Sequence, residues 1–340
     1  MIKKTSIILL GILISLALLI SVWASSVAPF SQYEQDIIDQ QIVSNLAEIP
    51  RGQEGYAQSG TVKLWYRIEQ PKNLSQSIKG TVLLIHGMGA SAIFWPEEII
   101  KGLLQEGYQV VISDYRGLGK SDWHSEEYDL NDLMQDNLAI LDSLNIEKAH
   151  VLGLSLGGMV GQEMSLQFPQ RVISLSSIMS SGFTEDPDYP VASWFKPEAV
   201  KLLIRFGLFA TEENTVKMMV GIYKLLKGDT DIDVKHIARA TLKELRERNG
   251  FNHQLADQQT AAIHTSGSRY ARLPLMTVPT LVVHGEKDPL VNILSAKKYA
   301  ALIPKAKTLW IAGMGHGLEP KKIEIWMKAV VEFINETNEQ

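Results

Sequence analysis

The sequence predicts an α/β fold: a mostly parallel central sheet, helices on both faces, and an inserted helical cap. Three observations predict it. Short apolar runs alternate with helix-spaced segments over most of the chain, the pattern of strands joined by crossover helices. The pentapeptide Gly153-Leu154-Ser155-Leu156-Gly157 stands where one apolar run turns into one such helix. The alternation then stops between Ser181 and Pro279, where helical spacing continues with no strand pattern.

Taken in order, Thr61-Val62-Lys63-Leu64-Trp65-Tyr66-Arg67-Ile68 alternates apolar with polar and is expected as the antiparallel edge of the sheet. Val82–His86 is a buried strand. A helix opens near Pro96-Glu97-Glu98, Val110–Asp114 is the next strand, and a helix covers Leu130–Leu144. Val151–Leu154 enters the pentapeptide, and Met159 to Phe168 forms a helix closed by Pro169. Thr280-Leu281-Val282-Val283 and Thr308-Leu309-Trp310-Ile311 are the last two strands. Between them and the first half lie three cap helices, Val200–Phe209, Glu213–Leu226 and Val234–Arg248. The expected segments are thus 1–24, an N-terminal signal-anchor or signal peptide; 25–60, a stalk with a short helix over Asp36–Ala47; 61–182 and 279–340, the two parts of the core; and 183–278, the cap. No repeat or low-complexity tract interrupts them.

Gly-x-Ser-x-Gly carries the chemistry. A serine on a strand-to-helix turn sits on strained backbone, and the flanking glycines are needed because side chains there would collide with neighbouring elements. The turn also sets the hydroxyl beside a helix N-terminus, whose free N–H groups can hold a developing oxyanion. Chance could place such a pentapeptide in a chain with 25 glycines, so three further segments matter. Val82-Leu83-Leu84-Ile85 runs into His86-Gly87-Met88-Gly89, a loop able to aim a backbone N–H at a substrate oxygen. The strand at Thr280 leads to His284-Gly285-Glu286-Lys287-Asp288-Pro289-Leu290-Val291, which delivers a carboxylate to a strand end. The strand at Thr308 leads to Ala312-Gly313-Met314-Gly315-His316-Gly317, a histidine on a glycine-rich loop. The chain order is Ser155, Asp288, His316, which separates this pattern from other serine hydrolase folds.

On these residues the chain resembles the α/β-hydrolase superfamily from about Thr61 to Asn338. Asp114-Tyr115-Arg116-Gly117-Leu118-Gly119-Lys120-Ser121-Asp122 is similar to the family's Asp-x-Arg-Gly-x-Gly-x-Ser segment. More narrowly, the stretches Gly157–Glu163 and Val278–Gly285 resemble small esterases similar to aclacinomycin methylesterase and enol-lactone hydrolases. The resemblance implies acyl transfer in two steps. Ser155 is the expected nucleophile, His316 its base, and Asp288 the carboxylate that orients the imidazole. The backbone N–H groups of Met88 and Leu156 are expected to form the oxyanion hole, as at the matching positions of the family. Glu286 rivals Asp288 on the same loop, and the Pro-Leu-Val that follows Asp288 favours it by likeness to the family's acid loop. Glu185, Asp186 and Asp188 occupy the superfamily's alternative place for the acid. His86 and His284 are expected to shape their loops, and Asp114 and Asp122 to pin the loop of Arg116.

Composition excludes several other functions. A net charge of −5 supplies no basic field for nucleic acid. There is no phosphate-binding Gly-x-x-x-x-Gly-Lys-Ser/Thr, no dinucleotide fingerprint after a strand, and no histidine–carboxylate set with metal-ligand spacing. No cofactor and no metal is expected. The apolar cap residues, Trp194, Phe195, Leu202, Phe206, Phe209, Met218, Met219, Ile222 and Tyr223 among them, are expected mostly as packing, with a surplus facing a hydrophobic substrate.

At the N-terminus, Lys3 and Lys4 precede an apolar run from Ile7 to Ala24, and the next charges are Glu34 and Asp36. The run is long enough to span a bilayer and oriented with its N-terminus inside. Val22-Trp23-Ala24 before Ser25 also fits signal cleavage. An uncleaved anchor is favoured, a cleaved signal peptide is the alternative, and either exports the body. The absence of cysteine is compatible with export.

Three functional readings follow. The favoured one is a carboxylic ester hydrolase acting on a small-molecule ester with a hydrophobic acyl or alcohol part. The second is a C–C bond hydrolase or a cofactor-free perhydrolase on the same triad. Leu154, before the nucleophile, is not the polar residue associated with several C–C hydrolases. The third, a non-catalytic binding protein, would be expected to have lost a triad member, and none is missing.

Overall fold

Eight strands form one sheet because most of their residues are apolar over runs too short and too β-branched for helices. They are β1 (Gln53–Ser59), β2 (Val62–Glu69), β3 (Gly80–Ile85), β4 (Tyr108–Ser113), β5 (Ala149–Leu154), β6 (Val172–Ile178), β7 (Thr280–Gly285) and β8 (Lys307–Ile311). In the computed structural model, which describes residues 15, 19–26, 30–46, 51–72, 77–123, 126–192, 197–209, 211–252 and 254–338, their order is β1-β2-β4-β3-β5-β6-β7-β8. β1 pairs with β2, and β2 with β4, antiparallel; every other neighbouring pair is parallel. β5 and β7 are buried at every position, as strands covered on both faces must be.

One expectation about the edge changes. β2 does not close the sheet: β1 lies outside it, in register from Gln53 opposite Ile68 to Ser59 opposite Val62. The turn between them, Gly60-Thr61, places Gly60 at φ 55°. Gln53–Ser59 holds two glutamines, a glutamate and a glycine, so apart from Tyr56 it carries no strand signal of its own. Pairing with β2 makes it a strand. The stretch 25–60, expected as a stalk, therefore contains a sheet strand as well as a helix.

Alternate residues of one strand feed two cores. Leu83 and Ile85 of β3 point to one face with Val111 and Val151, where Leu133, Met159, Val160 and Tyr299 cover them. Val82 and Leu84 point to the other with Val110 and Leu152, under Ile99, Leu103, Trp326, Val330 and Phe333. Each fully buried side chain of this size contributes on the order of 2 kcal/mol. The covering helices are α2 (Glu97–Gln105), α3 (Leu130–Ser143), α4 (Leu156–Gln167), α8 (Leu255–Ser266), α9 (Ile293–Leu302) and α10 (Pro320–Asn338). Asp129 caps α3 by accepting from the N–H groups of Asn131 and Asp132.

The chain divides into two compact units. One comprises 47–192, 226–233 and 243–340 and holds the sheet and the helices above. The other comprises 1–46, 193–225 and 234–242, so the N-terminal segment groups with part of the stretch expected as cap. In that second unit lie α1 (Gln32–Val43), α5 (Pro197–Leu202), the π-turn Leu203–Gly207, and most of α6 (Glu212–Leu226) and α7 (Val234–Glu247). Ser31 and Glu34 form a capping box that starts α1. Glu34 then pairs with Lys224 at 2.8 Å, and Phe30 packs on Phe206 with ring centroids 5.9 Å apart. Arg239 donates to the Leu46 carbonyl at 2.9 Å. Leu202 and Phe206 are buried, as expected of cap packing, whereas Phe209 is exposed. Trp194 and Phe195 lie outside the described residues, as does most of Ile7–Ala24. Among the described residues no helix is long and apolar enough to cross a membrane.

Candidate active site

The parallel register brings the ends of five strands, β3, β5, β6, β7 and β8, to one edge of the sheet. Ile85 stands opposite Gly153, Leu154 opposite Ile178, Ile178 opposite Val283, and Gly285 opposite Ile311. The loops that follow β3, β5, β7 and β8 must emerge together there, where ligands of open α/β sheets bind.

Ser155 joins β5 to α4 with φ 50° and ψ −111°, a region that costs a non-glycine residue on the order of 1–3 kcal/mol. The neighbouring structure holds it there. Its N–H donates to the Ile178 carbonyl at 2.9 Å, and its own carbonyl accepts from the Ser180 hydroxyl at 2.7 Å. The two flanking glycines are required by contact: a Cβ on Gly153 would strike the Gly157 carbonyl, and one on Gly157 the Ile85 carbonyl. Sequence spacing and close approach thus agree on why both are glycine.

The three residues predicted from widely separated loops meet. His316 Nε2 lies 3.1 Å from Ser155 Oγ, and His316 Nδ1 lies 2.6 Å from Asp288 Oδ2. The Asp288 side chain has no solvent exposure, and its other oxygen accepts from the N–H groups of Leu290 and Val291, each at 2.8 Å. Burial alone would raise this carboxyl, but the charge and hydrogen bonds of His316 and His284 hold it well below the usual carboxylate range. His284, expected only to shape its loop, is therefore a second neighbour of the acid, 3.3 Å from Asp288 Oδ2, and also reaches the Val291 carbonyl at 2.9 Å. Its position four residues before Asp288 was visible in the sequence, but not the turn that folds it back.

Leu156 directly follows the serine, and Met88 lies on the loop after β3. Leu156 opens α4, so its own N–H has no acceptor within the helix. A Cβ on Gly87 would lie 3.5 Å from the Ser155 Cβ, so the loop carrying Met88 passes close to Ser155. That loop is braced by residues the sequence did not single out. Gly89 donates to Gln259 Oε1 at 2.8 Å, Ser91 donates to Glu244 at 2.6 Å, and the Tyr115 hydroxyl donates to the His86 carbonyl at 2.7 Å. Burial pushes the Glu244 carboxyl up to about 7, although Arg248 beside it opposes the shift. Asp114 accepts from the N–H groups of Ala92 and Lys120 and pairs with Arg248, while Arg116 is paired with Asp136.

The rival acids stand elsewhere. Asp186 accepts from the Tyr270 hydroxyl at 2.5 Å and pairs with Lys298, which also holds Asp188. Glu185 pairs with His264, and Glu286 is exposed. Each has a partner or solvent in place of His316.

A further brace acts on the histidine loop. The His316 N–H donates to the Leu226 carbonyl at 2.7 Å, and the Asp229 N–H to the Gly313 carbonyl at 2.8 Å. Glu319, fully buried, accepts from the N–H groups of Gly228 and Gly315, each at 2.9 Å, and from the Thr230 hydroxyl. Contact is so close that a Cβ on Gly228 would strike the Gly313 carbonyl. Removing the acceptor leaves the buried Gly315 N–H unpaired, at about 1–3 kcal/mol, and the part-buried Gly228 N–H without this partner. Glu319→Ala is therefore expected to lower kcat by about 10–100-fold through displacement of His316, with KM little changed. Glu319→Gln keeps an acceptor for both N–H groups and should retain most activity. Equal losses in both variants, or a change confined to KM, would contradict this account.

Among the described residues no group of three or more histidine, cysteine, aspartate or glutamate side chains could hold a metal ion.

A family model described as the alpha/beta hydrolase fold matches residues 80–318. A rhodomycin D methylesterase of Streptomyces peucetius is 28% identical over 274 residues, covering 76% of this chain and 90% of that protein. A 2-hydroxy-6-oxononadienedioate/2-hydroxy-6-oxononatrienedioate hydrolase of Cupriavidus pinatubonensis is 29% identical over 261 residues, covering 75% and 86%. Among solved structures, an esterase from Exiguobacterium antarcticum superposes with a TM-score of 0.67 at 21% identity, over 83% of this chain and all of that one; at that identity it speaks for the fold.

Proposed function

From the premise that this chain belongs to the α/β-hydrolase family, we propose that it is a serine hydrolase that cleaves a carboxylic ester with a hydrophobic acyl or alcohol part. The observation that carries this is the continuous chain Ser155 Oγ, His316 Nε2, His316 Nδ1, Asp288 Oδ2 at 3.1 and 2.6 Å. A free serine hydroxyl is a poor nucleophile at neutral pH and needs such a base. Ser155 Oγ adds to the carbonyl carbon while its proton passes to His316 Nε2. Asp288 accepts the Nδ1–H and stabilises the imidazolium. The carbonyl oxygen gains the negative charge and takes hydrogen bonds from the N–H groups of Leu156 and Met88. As the intermediate collapses, His316 gives the proton to the leaving alkoxide, which departs as the alcohol. Water then adds to the acyl-enzyme with His316 as base, and the acid and Ser155 are released.

Relatives named as methylesterases support the ester reading. The C–C bond hydrolase reading has its own support in the similar 2-hydroxy-6-oxononadienedioate hydrolase. Against it, Leu154 before the nucleophile is apolar and buried. Assaying the full chain on p-nitrophenyl esters of graded acyl length, in parallel with a 2-hydroxy-6-oxodienoate, separates the two. Ester turnover that rises from acetate to longer chains is expected. Dienoate cleavage without ester cleavage would transfer the assignment to the second reading.

The charge asymmetry around Ile7–Ala24, with Lys3 and Lys4 before it and Glu34 and Asp36 after it, supports placing the hydrolase body on the non-cytoplasmic side of a membrane. Protease added to intact spheroplasts should then digest it, and protection until lysis would reverse that placement.

A further inference from the structure

In the helical unit that contains the N-terminal segment, three large apolar side chains of one short segment are exposed. Leu203 is 59% exposed, Leu208 67% and Phe209 73%, side chains that cost free energy when left in water. They follow one another on the segment 203–209, directly after α5. What lies beside this segment is the end of the apolar run. Residues 19–25 are helical, and the chain leaving them is tied to this segment by three contacts. Lys201 Nζ sits 5.0 Å above the centre of the Trp23 ring. Lys201 also donates to the Ser26 hydroxyl, and Arg205 to the Ser25 carbonyl, each at 2.9 Å.

These contacts fix a depth. A run of apolar residues from Ile7 to Ala24 is about the length that crosses hydrocarbon, so Trp23 stands where such a helix leaves it. Tryptophan favours that layer because its ring is apolar and its N–H polar, and lysine or arginine beside it can bury the stem while the charge reaches the headgroups. Whatever is bonded to Ser25 and Ser26 shares that depth. We propose that the segment Lys201–Phe209 docks on the bilayer surface, with Leu203, Leu208 and Phe209 inserted among the upper acyl chains and Lys201 and Arg205 at the headgroups. The partner of this surface is a phospholipid interface, and the inference rests on the reading of Ile7–Ala24 as a retained anchor. A helix fixed in this way makes two separate attachments: a spanning segment and an interfacial one.

The chain has no cysteine, so single cysteines can be labelled without a background. Full-length protein carrying Leu203→Cys, Leu208→Cys or Phe209→Cys is labelled with the fluorophore NBD and reconstituted into vesicles of phosphatidylcholine and phosphatidylglycerol. Val22→Cys reports the anchor, and Leu275→Cys, 74% exposed in the other unit, reports water. With nitroxides placed high on the acyl chains, positions 22, 203, 208 and 209 should show blue-shifted emission and lose most of it to the lipid quencher, while position 275 does neither. Quenching at 22 without quenching at 203, 208 and 209 overturns the docking and leaves the anchor standing. No quenching at any position, 22 included, overturns the anchor and the docking together. Blue-shifted emission at 203, 208 and 209 that lipid nitroxides leave intact means that a second copy or another protein covers the surface, and also overturns the proposal.

Discussion

Ser155→Ala should abolish labelling by a fluorophosphonate and lower ester turnover by about 10⁴-fold or more, leaving what binding and the oxyanion hole supply. The size follows from the loss of a covalent step: without Oγ, water must attack the ester unaided by a nucleophile that His316 already contacts at 3.1 Å. The fold should survive, because the turn is held by backbone contacts, the Ser155 N–H to Ile178 and the Ser180 hydroxyl to the Ser155 carbonyl. Labelling of wild-type protein at another serine, or an active Ser155→Ala enzyme, would remove the hydrolase assignment.

Asp288→Asn should be nearly as damaging, with a loss of about 10⁴-fold in kcat by analogy with triads in which the same change favours the wrong histidine tautomer. An amide NH₂ facing His316 Nδ1 would donate where the aspartate accepts, turning Nε2 into the protonated nitrogen and leaving no base for Ser155. The buried carboxylate is held ionised by His316 and His284 against the cost of burial, so the variant also removes the charge that stabilises the imidazolium. Glu286→Gln, at an exposed position, should cost little activity. Asp186→Asn should act on stability, because that carboxylate serves Tyr270 and Lys298. If activity is lost in Glu286→Gln or Asp186→Asn and kept in Asp288→Asn, the acid has been misassigned.

The sequence by itself determined the parts whose causes are local. β3, β5 and β7 were legible as apolar runs, because burial on both faces demands them in consecutive residues. Ser155, Asp288 and His316 were legible because each sits in a loop just past such a run, and parallel strands bring their ends to one edge. Gly153 and Gly157 were legible from the turn motif itself, and their neighbours in space, Gly157 and Ile85, belong to the same turn and to β3 beside it. Tertiary structure alone decided the rest. Gln53–Ser59 became a strand because β2 offered it a ladder, although Tyr56 alone among its residues favours one. The segment 31–46, expected as part of a stalk, belongs to the helical unit, where Glu34 meets Lys224, a partner 190 residues away. Glu244, Gln259 and Glu319 brace the loops that carry Met88 and His316 from positions that carry no motif. Their role arises from backbone N–H and hydroxyl groups that become buried only when distant segments close over them. A buried donor must find an acceptor, and which side chain supplies it is settled by packing across the chain, not by the residues on either side.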